Sequence, residues 1–161
     1  MKKLLLILLC LPMIGFGQNI NIPDANFKAY LVGNSAINTN GDSEIQISNE
    51  LIHNYKEKFQ INNNDTNILL GIGGSGPTKR IPAKIFLDVI EELSKIKSCK
   101  FFLATGKATD EQIILKQILE SKFKNLCVPL DNLTIKETLP IIKRCKASVC
   151  NDSSFSHLSA A

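Results

Sequence analysis

Two rhythms alternate along the last two-thirds of the chain. Short apolar runs at 67–72, 100–104, 126–128 and 147–150 have the length and composition of buried strands. Between them apolar residues recur at helical spacing: Ile85, Phe86, Val89, Ile90, Leu93 and Ile96 within 81–96, then Ile113, Ile114, Leu115, Ile118 and Leu119 within 110–120. Thr134 and Glu137 form a capping box for a third helix with the stripe Ile135, Leu139 and Ile142, which Pro140 should kink or delay. A last helix begins near Phe155. Strands alternating with amphipathic helices predict an α/β domain over 67–161, a Rossmann-like parallel sheet with helices on both faces. The common doubly wound order 3-2-1-4-5-6 has two strands more than the four counted, so the domain is expected to be incomplete.

The first 66 residues follow another pattern. Lys2 and Lys3, the apolar run 4–11 and Gly15-Phe16-Gly17 have the layout of a secretory signal peptide over 1–17, with cleavage expected before Gln18. The run is too short to span a bilayer. Residues 18–66 read as a polar segment and linker, with helical patches at 24–32 and 51–59 and a polar link at Asn62-Asn63-Asn64-Asp65. Asn38, Asn40 and Asp42 alternate like the start of a calcium loop. Asn38, Ser43 and Asn49, however, stand where that loop wants an acid, a Gly and a Glu, so an Asn/Gly turn competes with calcium binding.

At 44% hydrophobic and 21% charged the chain is globular in composition. Its net charge of +4 divides into −1 over 1–50 and +5 over 51–161. A modestly basic second half suits an anionic small ligand. It lacks the basic stripe and exposed aromatics of a nucleic-acid binder. Apart from Cys10 the cysteines are Cys99, Cys127, Cys145 and Cys150, placed mostly in strand-like segments as buried thiols, with no spacing for zinc or a disulfide framework. The signal therefore points to export while the cysteines point to the cytoplasm.

In doubly wound sheets ligands bind beyond the carboxyl ends of the strands where the strand order reverses, here between the first and fourth. The two most unusual loops follow those two strands: Gly71-Ile72-Gly73-Gly74-Ser75-Gly76-Pro77-Thr78-Lys79-Arg80 and Asn151-Asp152-Ser153-Ser154-Phe155-Ser156-His157. Gly71, Gly73 and Gly76 fit GxGxxG, but Pro77 and Pro82 delay the helix and the second strand ends in Ala104-Thr105-Gly106 without the acid that NAD binding needs. Pro77 occupies the lysine position of GxxxxGK[ST]. What both motifs leave is a loop of backbone donors at Gly73, Gly74, Ser75 and Gly76 followed by two cations, suited to a diphosphate. In the second loop Asp152 and Ser153 open a helix whose free N–H groups attract an anion, with Ser154 and His157 beside them.

The segment from Ile68 to Ala161 resembles the C-terminal domain of glycosyltransferase family nine, the ADP-heptose:lipopolysaccharide heptosyltransferases. The likeness rests on the Gly-rich loop, Lys79-Arg80-Ile81-Pro82, the Thr105-Gly106 turn with Asp110-Glu111, Leu133-Thr134-Ile135-Lys136-Glu137, and Asn151 to Ala161. Ile81 replaces the usual Trp, and Ser153-Ser154 replace Thr-Gly. The resemblance implies a GT-B enzyme, two Rossmann-like domains facing each other, and inverting transfer without an essential metal or cofactor. It implies that Lys79 and the backbone at Ser153 and Ser154 hold the donor diphosphate, that Asp152 and His157 order the loop, and that Glu111 reaches the nucleoside. The catalytic base would be an acid of the acceptor-binding domain, so no catalytic residue is expected in 67–161. The implied partners are a nucleotide-sugar and a lipopolysaccharide-type acceptor. Residues 22–47 resemble instead the opening of secreted leucine-rich-repeat surface proteins of Bacteroidetes-type bacteria, and a junction between unrelated pieces is expected near Glu50. The alternative function is a secreted surface or calcium-binding module.

Overall fold

The computed structural model describes residues 25–33, 49–59, 61, 64–74, 76 and 79–160. The expected signal peptide, the calcium-type positions 38–45 and Ser75 lie outside the described residues. Four strands form one sheet: β1 (Thr66–Gly71), β2 (Cys99–Ala104), β3 (Cys127–Pro129) and β4 (Ala147–Cys150). All neighbours are parallel and the order is β3-β2-β1-β4. The chain winds outward from β1 to β3 and then crosses to the other side of β1, so the order reverses between β1 and β4. That is the expected switch point.

Strand side chains alternate between two apolar layers, as the twofold repeat of a strand requires. Ile68, Leu70 and Ile72 of the β1 segment, with Phe101 and Leu103 of β2, pack under α3 (Ala83–Ile96) and α4 (Thr109–Leu119). Leu69, Phe102 and Ala104 point the other way, toward α5 (Ile135–Ile142) and α6 (Ser154–Ala160). The helical stripes are rotated from their expected positions. In α3 the buried residues are Ala83, Phe86 and Ile90, while Ile85 and Ile96 are exposed. In α4 Leu115 and Ile118 are buried and Ile113 is exposed. Where every turn offers more apolar residues than one face can cover, the sheet selects among them.

Helix α5 begins at Ile135 with the capping box in place: Glu137 N donates to Thr134 Oγ1 (3.4 Å) and Thr134 N to Glu137 Oε2 (2.8 Å). Pro140 therefore does not delay the start. It sits buried in the second turn, where the capped first turn already fixes the helix.

Two N-terminal helices, α1 (Ala25–Val32) and α2 (Asn49–Lys58), complete the second layer. Leu31, Tyr55 and Ile61 are buried in the same cluster as Leu139, Ile141 and Leu158. The core thus extends across the boundary expected at residue 66. Cys99 and Cys127 are buried thiols, and burial pushes Cys127 up to about 11. No helix among the described residues is long and apolar enough to cross a membrane.

Candidate functional site

Gly71 and Cys150 are register partners at the carboxyl ends of β1 and β4, so the loops that follow leave the sheet side by side. Asn151, the first residue past β4, joins them. Its backbone N donates to Gly71 O (2.9 Å), its Nδ2 donates to Ile72 O (2.5 Å), and its Oδ1 accepts from Ile81 N (2.8 Å). It is 2% exposed. Further out, Lys79 Nζ of the first loop meets Asp152 Oδ2 of the second at 2.5 Å. Both side chains are at least half exposed, so solvent screens the pair and it contributes little to stability. Its value is as a marker of position, a cation and an anion held together at the switch point. The hydrogen bond and charge of Lys79, with a weaker contribution from His157, hold the Asp152 carboxyl below its usual range.

The other flank of the Gly-rich loop is fastened to the β2 side. Glu111, near the start of α4, is 6% exposed. Its Oε1 accepts from Gly74 N (3.1 Å), and its Oε2 accepts from Gly106 N (2.7 Å) and Thr105 Oγ1 (3.2 Å). Arg80 pairs with Asp110 and donates from Nη2 to Gly74 O (3.3 Å). Gly76 has φ +89°, a left-handed conformation that glycine adopts without strain, and Lys79 N turns back to its carbonyl.

Among the expected site residues, the fold brings together Lys79, Asp152, Ser153, Ser154 and His157 on the two adjoining loops and the start of α6. Two expected phosphate donors are occupied within the protein: Gly73 N donates to Ala104 O (3.3 Å) and Gly74 N to Glu111. Glu111 is turned inward, and both of its oxygens are engaged by its neighbours. Asn151 and Asp110 were not among the expected site residues, and Arg80 was expected only as the second cation after the Gly-rich loop. An Asn directly past a strand end and ahead of a helix start was the available signal for the first. Arg80 Nε and Ser153 Oγ are buried with no hydrogen-bond partner among the described residues. Such groups are uncommon in folded proteins.

The model of Glycosyltransferase family 9 (heptosyltransferase) matches residues 32–161. The chain belongs to this family. The match starts upstream of Ile68, where the motif likeness starts, and takes in α2. Among solved structures, ADP-heptose lps heptosyltransferase II of E. coli aligns with a TM-score of 0.61 at 22% identity, over 73% of this chain and 36% of that one. The glycosyl transferase family 9 structure from Veillonella parvula DSM 2008 aligns with a TM-score of 0.59 at 20% identity, over 71% and 33%. Both alignments support the four-stranded α/β fold, and this chain spans about a third of the length of each structure. No curated protein matches the chain.

Proposed function

We propose that this family 9 domain binds the diphosphate of a nucleotide-sugar, of the ADP-heptose type, in the cleft between the β1 and β4 loops. In the complete enzyme it would serve transfer to a lipopolysaccharide-type acceptor. The observation that carries the reading is the meeting of Lys79 and Asp152 at the switch point. A half-exposed lysine paired there can exchange its carboxylate partner for a phosphate at small cost. The unpartnered Arg80 Nε and Ser153 Oγ add donors to the same two loops.

Gly73 and Gly74 shape the cleft by backbone bonds, and Glu111 acts by ordering the loop. His157 and Ser154 border it from α6. The cationic loop stabilises the negative charge that grows on the leaving diphosphate as the glycosidic bond to the sugar breaks, the electrostatic share of catalysis. Deprotonation of the acceptor hydroxyl is assigned to an acid of the acceptor-binding domain of the family's architecture. The buried thiols Cys99 and Cys127 favour the cytoplasm as the site of action of this domain, against the export that the signal-like start of the chain implies.

Titration calorimetry with ADP tests the assignment. Lys79→Ala should weaken binding by about 1.5–3 kcal/mol, the range for a hydrogen bond to a charged group. Equal affinity of the two proteins would remove Lys79 from the site.

A further inference from the structure

Asn151 does more than close the end of the sheet. Its carboxamide spends one donor and its acceptor on the backbone of a loop some seventy residues away, at Ile72 O and Ile81 N. Those two atoms flank the Gly-rich segment, one where it leaves β1 and one just after Lys79-Arg80. A single buried side chain therefore sets the span of that loop and fixes it against β4. The backbone packs against it as well: a Cβ at Gly74 would come within 3.2 Å of Asn151 Cβ and 3.5 Å of its Nδ2. Asp152, which meets Lys79, is the next residue along the chain.

We infer that Asn151 is a positioning residue for the anion cleft: its carboxamide bracket between Ile72 and Ile81 holds Lys79 opposite the β4 loop. The inference rests on the proposed function of the cleft. No other residue type reproduces the bracket, which needs one planar head with an N–H donor and an oxygen acceptor at this side-chain length. Aspartate keeps the acceptor for Ile81 N but turns a second acceptor onto Ile72 O. Glutamine places the same head one methylene too far into a buried site.

Aspartate also supplies a diagnostic that loss of packing would not. A carboxyl introduced at this buried position is raised in pKa by desolvation and by the facing Ile72 carbonyl, against the opposing pull of the Ile81 N–H and of the Lys79 and Arg80 cations on the same loop, and acidification protonates it. The neutral acid has an O–H to donate to Ile72 O and restores the bracket in part.

The experiment measures ADP affinity of the full chain and its Asn151→Asp and Asn151→Ala variants at pH 8 and pH 5.5. Each variant is expressed relative to the unaltered chain at the same pH, which cancels titration of the nucleotide. Asn151→Asp should bind about tenfold or more weakly at pH 8, in keeping with a buried polar group left unsatisfied, and most of that gap should close at pH 5.5. Asn151→Ala should be weakened alike at both. Equal affinity of Asn151→Asp and the unaltered chain at pH 8, or a deficit independent of pH, would overturn the positioning role while leaving the proposed cleft intact. An unaltered chain that ignores ADP would instead overturn the proposed function, and the inference with it. Hydrogen exchange at the Ile81 amide tests the bracket without a ligand: it should accelerate in Asn151→Ala, and an unchanged rate would refute the bracket itself.

Discussion

The two faces of the sheet are built from different stretches of chain. The α3/α4 face is local: nearly every buried residue comes from one continuous run, from Ile68 through Phe86, Ile90, Phe101, Leu103, Leu115 and Ile118 to Cys127. The opposite face is assembled from afar. Leu31 of α1, Tyr55 of α2 and Ile61 pack with Leu130, Leu139, Ile141 and Leu158 around Leu69 and Phe102. One face follows from two successive strand–helix–strand units. The other exists only when segments separated by more than half the chain come together. The contrast teaches that the α3/α4 face needs only contacts within one continuous run, whereas the second face is where the ends of the described chain are tied in.

The largest effects should come from cutting the aromatic centre of each face. Phe86 and Phe102 are both fully buried, one on each side. Phe86→Ala and Phe102→Ala should each cost about 3–5 kcal/mol in urea unfolding. If the two faces melt as one unit, both variants shift a single transition. Two transitions, with Phe86→Ala moving only the later one, would show the faces to be separate cooperative units.

A smaller cut isolates the long-range face. Leu31 is fully buried in the second cluster. Leu31→Ala should cost about 2–4 kcal/mol if α1 is packed in solution as it is here. A stability change near zero would remove α1 from the core and reduce that face to α2, α5 and α6.

Elements set by neighbouring residues were the legible ones, on either face. Strands β1, β2 and β4 were apparent as apolar runs, and the α5 capping box was apparent as Thr134 and Glu137, because each is a property of neighbouring residues. The switch point followed from strand order, which helix-linked parallel strands restrict strongly. Which isoleucines of α3 and α4 would be covered was not legible, since Ile85, Ile96 and Ile113 satisfy the same spacing as their buried neighbours. Nor did the helix α2, with Tyr55 among charged and amide residues, look like core. The site divides the same way. Lys79 and the Asp152–His157 loop stand out as residue types at strand ends. Asn151 and Glu111 act through bonds to the backbone of distant loops, and local pattern does not name those partners.

The α2–α5 contact offers a finer test of the long-range face. Tyr55 donates to Glu137, and Glu137 also accepts from the Thr134 backbone. Thr134→Ala removes the side-chain half of the capping box and should lower stability by about 1 kcal/mol, the usual loss for a cap. Circular dichroism in urea would detect it, and an unchanged midpoint would show that α5 is held by packing alone.

The smallest effect is electrostatic, and its sign is fixed by the same contact. Bonds from the Thr134 backbone and hydroxyl, then from Tyr55, hold the Glu137 carboxyl below its usual range. A depressed folded pKa means that the unfolded chain takes up the proton first as the pH falls. The stabilisation is therefore whole above the ordinary glutamate pKa and is lost as pH drops through the folded value. Tyr55 behaves in the opposite sense. Burial, with the hydrogen bond to Glu137 and its charge, raises it from 10.0 to about 12, so its share is intact below pH 10 and is lost between about 10 and 12 as the unfolded chain ionises first. Tyr55→Phe should accordingly flatten both arms of a stability–pH profile, the acid arm slightly and the alkaline arm more, while changing the neutral region by about 0.5–1.5 kcal/mol. If the alkaline arm keeps its slope in Tyr55→Phe, the group that titrates there lies elsewhere, and the hydrogen bond between α2 and α5 does not tie the second face together.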